Sequence, residues 1–267
     1  MAVSSSPIVL VTGANRGIGF STVQALALRY PNGTYIIGCR RLPSGREAIQ
    51  ELRQMGVTAG LEVVEIDVTD DSTIDQAQKW IHEKFGRLDV LVNNAGIALF
   101  PHSSSASATR ETFNTTFNTN ITSLYTVTLA FLPLLHLSPS PKVINMSSGR
   151  ASLTRSSDGA LPPTKVVSYS ISKAAVNSLT IEMQKMEDLL LRQNMEGNRE
   201  VEGKEVGRGK VEFFAANPGH CKTAFNGFKG MKDPLEGAEV VVRLVGGEGR
   251  KGGFWEFEEG VLREVPW

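Results

Sequence analysis

The sequence predicts an α/β fold: a doubly wound parallel sheet in three layers, as a single domain over residues 1–267. Three observations predict it. Short apolar runs alternate with longer segments of helical pattern, the signature of parallel strands joined by crossover helices. Neither an internal repeat nor a break in composition divides the chain. Its 267 residues suffice to bury one sizeable core.

Ile8-Val9-Leu10-Val11 opens the series as a fully apolar, β-branched run, which reads as a buried strand. Further strands are predicted at residues 34–38, 61–66, 90–92, 143–145 and 211–215. Helices are predicted between them at residues 19–29, 46–55, 72–85, 111–135 and 169–191, where apolar positions recur at helical spacing. Gly253-Phe254-Trp255-Glu256-Phe257 followed by Glu259-Gly260 reads as a last strand and a turn. Two stretches depart from compact α/β economy. Residues 152–167 form a long connection containing Gly159, Pro162 and Pro163. Residues 192–210 hold nine charged residues and four glycines without apolar period, and are expected to be a flexible surface insertion.

Composition excludes several function classes. Lys plus Arg equals Asp plus Glu at 28 each, so bulk charge drives no binding to nucleic acid or to a membrane surface. The first residues carry no signal-peptide pattern, and no apolar run is long enough to span a bilayer. Cys39 and Cys221 are far apart, and the four histidines are scattered, so neither a disulfide framework nor a metal centre is expected. A reducing, cytoplasmic setting fits this cysteine usage.

Thr12-Gly13-Ala14-Asn15-Arg16-Gly17-Ile18-Gly19 follows the first strand and opens the first helix. Glycines there permit a tight turn and close approach of backbone to a pyrophosphate, and the helix N-terminus offers unpaired N–H groups. The spacing is GxxxGxG rather than GxGxxG, but its place after strand one predicts a Rossmann-type nucleotide site. An NAD site usually has an acid at the end of strand two. Here the chain reads Cys39-Arg40-Arg41, with no Asp or Glu between Gly19 and Glu47. Arg40, with Arg16 in the glycine turn, suits a 2′-phosphate and predicts NADP(H).

Tyr169 and Lys173 lie four apart on a predicted helix, a rise of roughly 6 Å on one face. An ammonium near a phenol favours the phenolate, so Lys173 is expected to lower the Tyr169 pKa. A phenol so tuned can exchange a proton with an alcohol or carbonyl oxygen.

With these motifs the chain resembles the short-chain dehydrogenase/reductase family, its carbonyl-reductase-like members in particular, from Ile8 to about Val245. Thr12–Gly19 matches the family's glycine motif. Asp67-Val68 falls where the family binds adenine. Asn93-Asn94-Ala95-Gly96 matches NNAG beside the cofactor, and Asn120 the asparagine that helps hold a relay water. Asn145-Met146-Ser147-Ser148 matches the strand-five motif, Tyr169 and Lys173 match YxxxK, and Pro218-Gly219-His220-Cys221-Lys222-Thr223 matches PGxxxT, which lies against the nicotinamide.

The resemblance implies hydride transfer between the nicotinamide and a carbonyl carbon. Tyr169 would pass the proton, Ser148 bond the substrate oxygen, Lys173 bind the ribose, and Asn120 position water. Cofactor contacts would come from Gly13, Asn15, Arg16, Gly17, Ile18, Gly19, Arg40, Asp67, Val68, Asn93, Ala95, Gly96, Tyr169, Lys173, Pro218, Gly219 and Thr223. Ser147 and Ser148 are adjacent, and alternating strand side chains allow only one to face the site. The gap between Ser148 and Tyr169 is longer than the family's commonest spacing. In some carbonyl reductases such an insertion obstructs helix-mediated dimer contacts, so monomer and homodimer both stay open.

Candidate pocket walls are residues 97–100, 149–153 and 159–167, with Phe225 and Phe228. Phe100, Phe225 and Phe228 either line an apolar pocket or pack the core. The expected activity is NADPH-dependent reduction of a small, apolar ketone, aldehyde or quinone. The alternatives are an NADP-linked alcohol dehydrogenase, served by the same residues, and a non-catalytic NADP(H)-sensing protein, which would not need Asn120, Ser148, Tyr169 and Lys173 together.

Overall fold

The computed structural model describes residues 6–197 and 209–267. Eight strands form one sheet in the order β3-β2-β1-β4-β5-β6-β7-β8. They are β1 (Ile8–Thr12), β2 (Thr34–Cys39), β3 (Gly60–Glu65), β4 (Val90–Asn93), β5 (Lys142–Met146), β6 (Glu212–Asn217), β7 (Phe254–Glu258) and β8 (Val261–Glu264). The first seven run parallel, and β8 returns antiparallel as the edge. β8 was not expected from the sequence. It is a four-residue strand, mostly exposed, with the charged pair Arg263-Glu264, so no apolar run announces it.

Strand side chains alternate between two cores, which is why the strands read as continuous apolar runs. Val9, Val11, Ile37, Val90, Val92 and Phe214 face one layer of helices. That layer holds α1 (Gly17–Arg29), α2 (Leu42–Gln54) and α8 (Pro234–Val245). Ile8, Leu10, Ile36, Leu91, Val143 and Phe213 face the other. There lie α3 (Asp71–Phe85), α5 (Ser123–Leu135) and α7 (Val167–Gly197), with α4 (Ala106–Phe117) leading into α5. The short α6 (Leu153–Ser157) lies in the connection after β5. The three-layer, doubly wound Rossmann-type architecture is as the sequence predicts.

Boundaries moved where local chemistry overrides periodicity. α2 begins at Leu42 rather than Arg46, because Pro43 suits a first turn and Gly45 packs on β3. A Cβ on Gly45 would stand 2.2 Å from Val63 Cγ2. The predicted helix over residues 111–135 is two helices joined by one π turn at Asn118–Thr122. α7 runs to Gly197, so the first residues of the expected 192–210 insertion are helical. Residues 198–208 of that insertion lie outside the described residues. Among the described residues, no helix is long and apolar enough to cross a membrane.

The strand order reverses direction between β1 and β4. In such sheets a crevice opens at the carboxyl ends of the strands at that point. Thr12 ends β1 and Asn93 ends β4, so the glycine turn and the NNAG segment meet there.

Candidate active site

Gly13 and Gly17 adopt φ of +64° and +61°, the left-handed region that glycine enters without strain. The turn is held on both sides. Ala14 N donates to Gly38 O at 3.1 Å, tying it to the end of β2. Asn94 Nδ2 donates to Thr12 O at 2.8 Å and to Gly13 O at 3.2 Å, tying it to β4. Thr12 Oγ1 accepts from the backbone N–H groups of Asn94 and Ala95 at 3.0 and 3.1 Å. A Cβ on Gly19 would stand 2.7 Å from Gly13 O and 2.5 Å from Asn94 Nδ2, so this glycine is required by close packing. Asn94 was not among the expected site residues; its position inside NNAG was the available signal.

Helix starts differ across the molecule. Asp70, Ser105 and Asp233 cap α3, α4 and α8 by accepting from backbone N–H groups at 3.0, 3.1 and 2.7 Å. α1 and α2 have no such side-chain cap and no acid in their first turns. Their positive ends are left to an anion. Arg16 immediately precedes α1, and Arg40 follows β2. Both are exposed, and among the described residues neither has a carboxylate partner. Uncapped helix starts, forced glycine geometry and two unpaired cations fit a phosphorylated dinucleotide. Asp67 makes its own turn, its Oδ1 accepting from Thr69 N and Oγ1 at 3.0 and 2.7 Å. Val68 follows, half-buried.

The NNAG segment splits by side. Asn93 is buried, and its Nδ2 donates to Thr128 Oγ1 and Asn145 Oδ1, each at 2.9 Å. Asn145 in turn donates to Thr180 Oγ1 at 2.9 Å. The Asn93 side chain therefore ties β4 to β5, which leaves its backbone at the end of β4 as the part that could meet a cofactor. Gly96 does face the crevice: a Cβ there would stand 3.2 Å from Asn120 Oδ1 and 3.6 Å from Lys173 Nζ.

Asn120 lies in the π turn, buried, and its side chain is fully engaged. Its Oδ1 accepts from Ile97 N at 2.9 Å, and its Nδ2 donates to Ile97 O and Ser172 Oγ at 2.9 Å each. It therefore clamps the residue after NNAG to α7. The serine ambiguity resolves in the same way. Ser147 is buried and donates to Asn177 Oδ1 at 2.6 Å, behind the crevice. Ser148 is half-buried, accepts from Arg150 N at 3.3 Å, and stands near enough to the Tyr169 phenol to lower its pKa.

The electrostatics of Tyr169 differ from the expectation of helix spacing. Burial raises its pKa above the usual value, and the Ser148 hydroxyl and the Arg150 charge pull it back only in part. Lys173 is not the group that tunes it. Its ammonium stands 5.7 Å from the Tyr169 ring centre and donates to Met146 O at 2.6 Å. Burial, with no anion beside it, lowers the Lys173 pKa to about 8. Desolvation outweighs the pairing that helix spacing alone suggests.

The loops after β5 and β6 close the crevice. Asn217 Oδ1 accepts from Gly149 N and Gly219 N at 2.8 and 3.0 Å, joining the two loops. Asn217 Nδ2 donates to Glu256 at 2.9 Å, and Glu256 is gripped by both Arg155 terminal nitrogens at 2.9 and 2.6 Å. A Cβ on Gly17 would come within 3.8 Å of Thr223, which brings Pro218–Thr223 back over the glycine turn. Sequence reasoning did not place Asn217 in the site, although it directly precedes Pro218. Phe100, Phe225 and Phe228 are 62%, 53% and 61% exposed, so they do not pack the core. Phe225 packs on Tyr169 with ring centres 5.6 Å apart. Phe228 holds a positive φ of 61°, uncommon for a bulky residue, with its N–H bonded to Thr223 O at 2.8 Å. Among the described residues, no cluster of three or more His, Cys, Asp or Glu side chains is arranged to hold a metal.

This arrangement can hold an anionic dinucleotide at one side and manage a proton at the other. Residues 7–188 match the family model for short chain dehydrogenase. Over 99% of the chain it is 43% identical to a short-chain dehydrogenase/reductase of Aspergillus fumigatus, covering 98% of that protein. It is 31% identical to a short-chain dehydrogenase of Penicillium roqueforti, across 91% of this chain and 90% of that one. Among solved structures, NADPH-bound carbonyl reductase from chicken fatty liver superposes with a TM-score of 0.75 at 26% identity, covering 98% of this chain and 99% of that one. A family model spanning more than half the chain, and a relative of this identity along its whole length, establish that the chain belongs to the short-chain dehydrogenase/reductase family of oxidoreductases.

Proposed function

We propose that the chain is an NADPH-dependent carbonyl reductase acting on small, largely apolar ketones, aldehydes or quinones. The observation that carries this reading is the convergence of Ser148, Tyr169 and Lys173 with an uncapped glycine-turn helix at one end of the sheet. Arg16 and Arg40 support the phosphorylated cofactor, each a permanent cation without a carboxylate partner among the described residues, and Arg40 stands where an NAD site would have an acid. The similarity to an NADPH-bound carbonyl reductase points the same way.

Bound NADPH supplies the hydride that reduces the carbonyl carbon. The chain does the rest. The glycine turn, the start of α1 and Arg40 would hold the phosphates. Lys173, which donates to Met146 O, would bond the nicotinamide ribose hydroxyls. Ser148 donates a hydrogen bond to the substrate oxygen and fixes it against Tyr169. As that oxygen gains charge, Tyr169 transfers its phenolic proton to it, giving the alcohol, and is reprotonated from solvent. A phenol with a raised pKa is protonated at neutral pH, so it starts as a proton donor. Phe100, Phe225 and Phe228 offer an apolar wall for the substrate.

The test is NADPH consumption by the purified chain over a panel of aldehydes, ketones and quinones. Tyr169→Phe keeps the ring packed on Phe225 and removes the proton. It is expected to bind NADPH as the parent does and to turn over about 10²–10⁴-fold more slowly. Undiminished turnover would remove Tyr169 from the reaction. Tight NADPH binding by the parent with no turnover on any carbonyl would favour a sensing role.

A further inference from the structure

Lined by Ser170, the residue after Tyr169, lies a cavity of about 500 Å³ that the proposed chemistry does not use. It is roofed by the connection after α6, with Leu161, Pro162 and Thr164, and floored by Arg150 and Ser170. Two features of that floor call for a ligand. Arg150 is a permanent cation with no carboxylate partner among the described residues. Its one hydrogen bond goes to Pro162 O at 3.1 Å, leaving most of the guanidinium fork open. The neighbouring Arg155 is by contrast neutralised by Glu256. Ser170 is the second feature. Its hydroxyl is buried without a hydrogen-bond partner, which is costly unless a group arrives to complete it.

The location links this floor to the reaction. Ser170 follows Tyr169 on α7, and Arg150 follows Ser148 by two residues. The Arg150 charge is felt at the Tyr169 phenol. A molecule with its carbonyl at Ser148 and Tyr169 thus has a cationic, hydroxyl-lined cavity within reach of its far end.

We propose that this cavity is a substrate subsite for a carboxylate, with Arg150 as the anchor and Ser170 as a second hydrogen-bond donor. The preferred substrates are then keto or aldehydo acids with an apolar middle, their carboxylate held away from the reacting carbonyl. This rests on the carbonyl-reductase reading of the same site. Arg150 is suited to the task because its planar fork matches a carboxylate with two parallel hydrogen bonds. Its effect on the Tyr169 phenol is common to all substrates, whereas its hydrogen bonds to a carboxylate set specificity.

The experiment uses the full chain with para-benzoylbenzoate and its methyl ester. These share the ketone and differ in the charge at the far end. The parent is expected to prefer the acid in kcat/KM. Arg150→Met is expected to lower kcat/KM for the acid by roughly 10- to 100-fold, the usual worth of hydrogen bonds to a charged group. The ester should change far less, and Arg150→Lys should restore part of the acid preference. Loss of the Arg150 charge at Tyr169 affects both compounds alike, so the ratio isolates the subsite. An equal effect on acid and ester, or no preference in the parent, overturns the proposal. Calorimetric binding of the acid to the NADPH-loaded chain gives a second readout. If neither compound is reduced, the carbonyl-reductase reading fails on this pair. The subsite then stands or falls on whether the acid binds the parent and not Arg150→Met.

Discussion

The crevice has two halves that are held in unlike ways. The half formed by β1, β2 and the start of α1 is held at its backbone carbonyls, two of them bonded by the Asn94 side chain. Its key contacts are the Thr12, Gly13 and Gly38 carbonyls, and its charges, Arg16 and Arg40, are exposed guanidinium groups. The half formed by the loops after β5 and β6 is held by side chains. Asn217 joins two loops, and Glu256 and Arg155 anchor it from positions 101 residues apart in sequence. Its charge, Lys173, titrates within reach of physiological pH. One half is built on the backbone shape of one short glycine turn, which Asn94 and Gly38 brace from neighbouring strands. The other is an assembly that exists only once the sheet is formed. Function should therefore fail differently in each.

The largest expected effect on cofactor binding tests the glycine-turn half. Arg40→Asp removes a permanent charge offered to a 2′-phosphate and supplies the acid that an NAD site uses. NADPH affinity, read by fluorescence titration, is expected to fall roughly 10- to 100-fold, with NADH affinity equal or better. The loss should be independent of pH from neutrality upward. Equal loss for both cofactors would mean that Arg40 reads no phosphate, and the NADP(H) reading would go with it.

The next effect belongs to the other half and differs in kind. Burial lowers the Lys173 pKa to about 8, so the folded chain gives up this proton before the unfolded chain does. Between about pH 8 and the ordinary lysine value, the unfolded state binds more protons, and Lys173 contributes stability that rises with pH. Cofactor binding runs the opposite way, because the ammonium is the form that donates to a ribose. One pH unit above 8 leaves about a tenth of it charged, so NADPH affinity should weaken about tenfold from pH 7 to pH 9. Lys173→Met should bind more weakly at pH 7 with a flat profile. A parent profile that is already flat would show that Lys173 stays charged or makes no contact.

The same division explains what could be read from the sequence. The glycine turn, the strand runs and the Arg40 signal lie in consecutive residues, where steric and periodic rules act locally. Asn93 read as a cofactor residue because NNAG is a segment. Its direction depends on Thr128 and Asn145, on other elements, and a segment does not display them. The choice between Ser147 and Ser148 waited on Asn177 for the same reason. The Tyr169–Lys173 geometry follows from helix spacing, but its electrostatics do not, because burial is a property of the assembled fold. The π turn at Asn118–Thr122 interrupts no apolar pattern, and so left no mark that periodicity could reveal.

The smallest effect probes whether the side-chain assembly positions the site or only stabilises it. Burial would raise the Glu256 carboxyl pKa, but Arg155 and Asn217 outweigh it and hold it below the usual carboxylate range. The ion pair is therefore present above that range and is lost as pH falls through the folded value. Glu256→Gln keeps the shape and a hydrogen-bond acceptor but loses the charge, and Arg155 is open enough to turn to water. A stability loss of about 1–2 kcal/mol is expected, a fall of roughly 2–8 °C in Tm for a chain of this size. Stability alone would not separate the two roles. If Asn217 aims the loops carrying Ser148 and Gly219, kcat should fall several-fold, about 5-fold, well below Tm, while the Arg40-dependent preference for NADPH over NADH stays as in the parent. Combining Glu256→Gln with Arg155→Met should add little further loss, because each breaks the same link. Full activity below Tm with additive stability losses would make the network a structural brace, and the two halves would then differ in how they are built without differing in how they work.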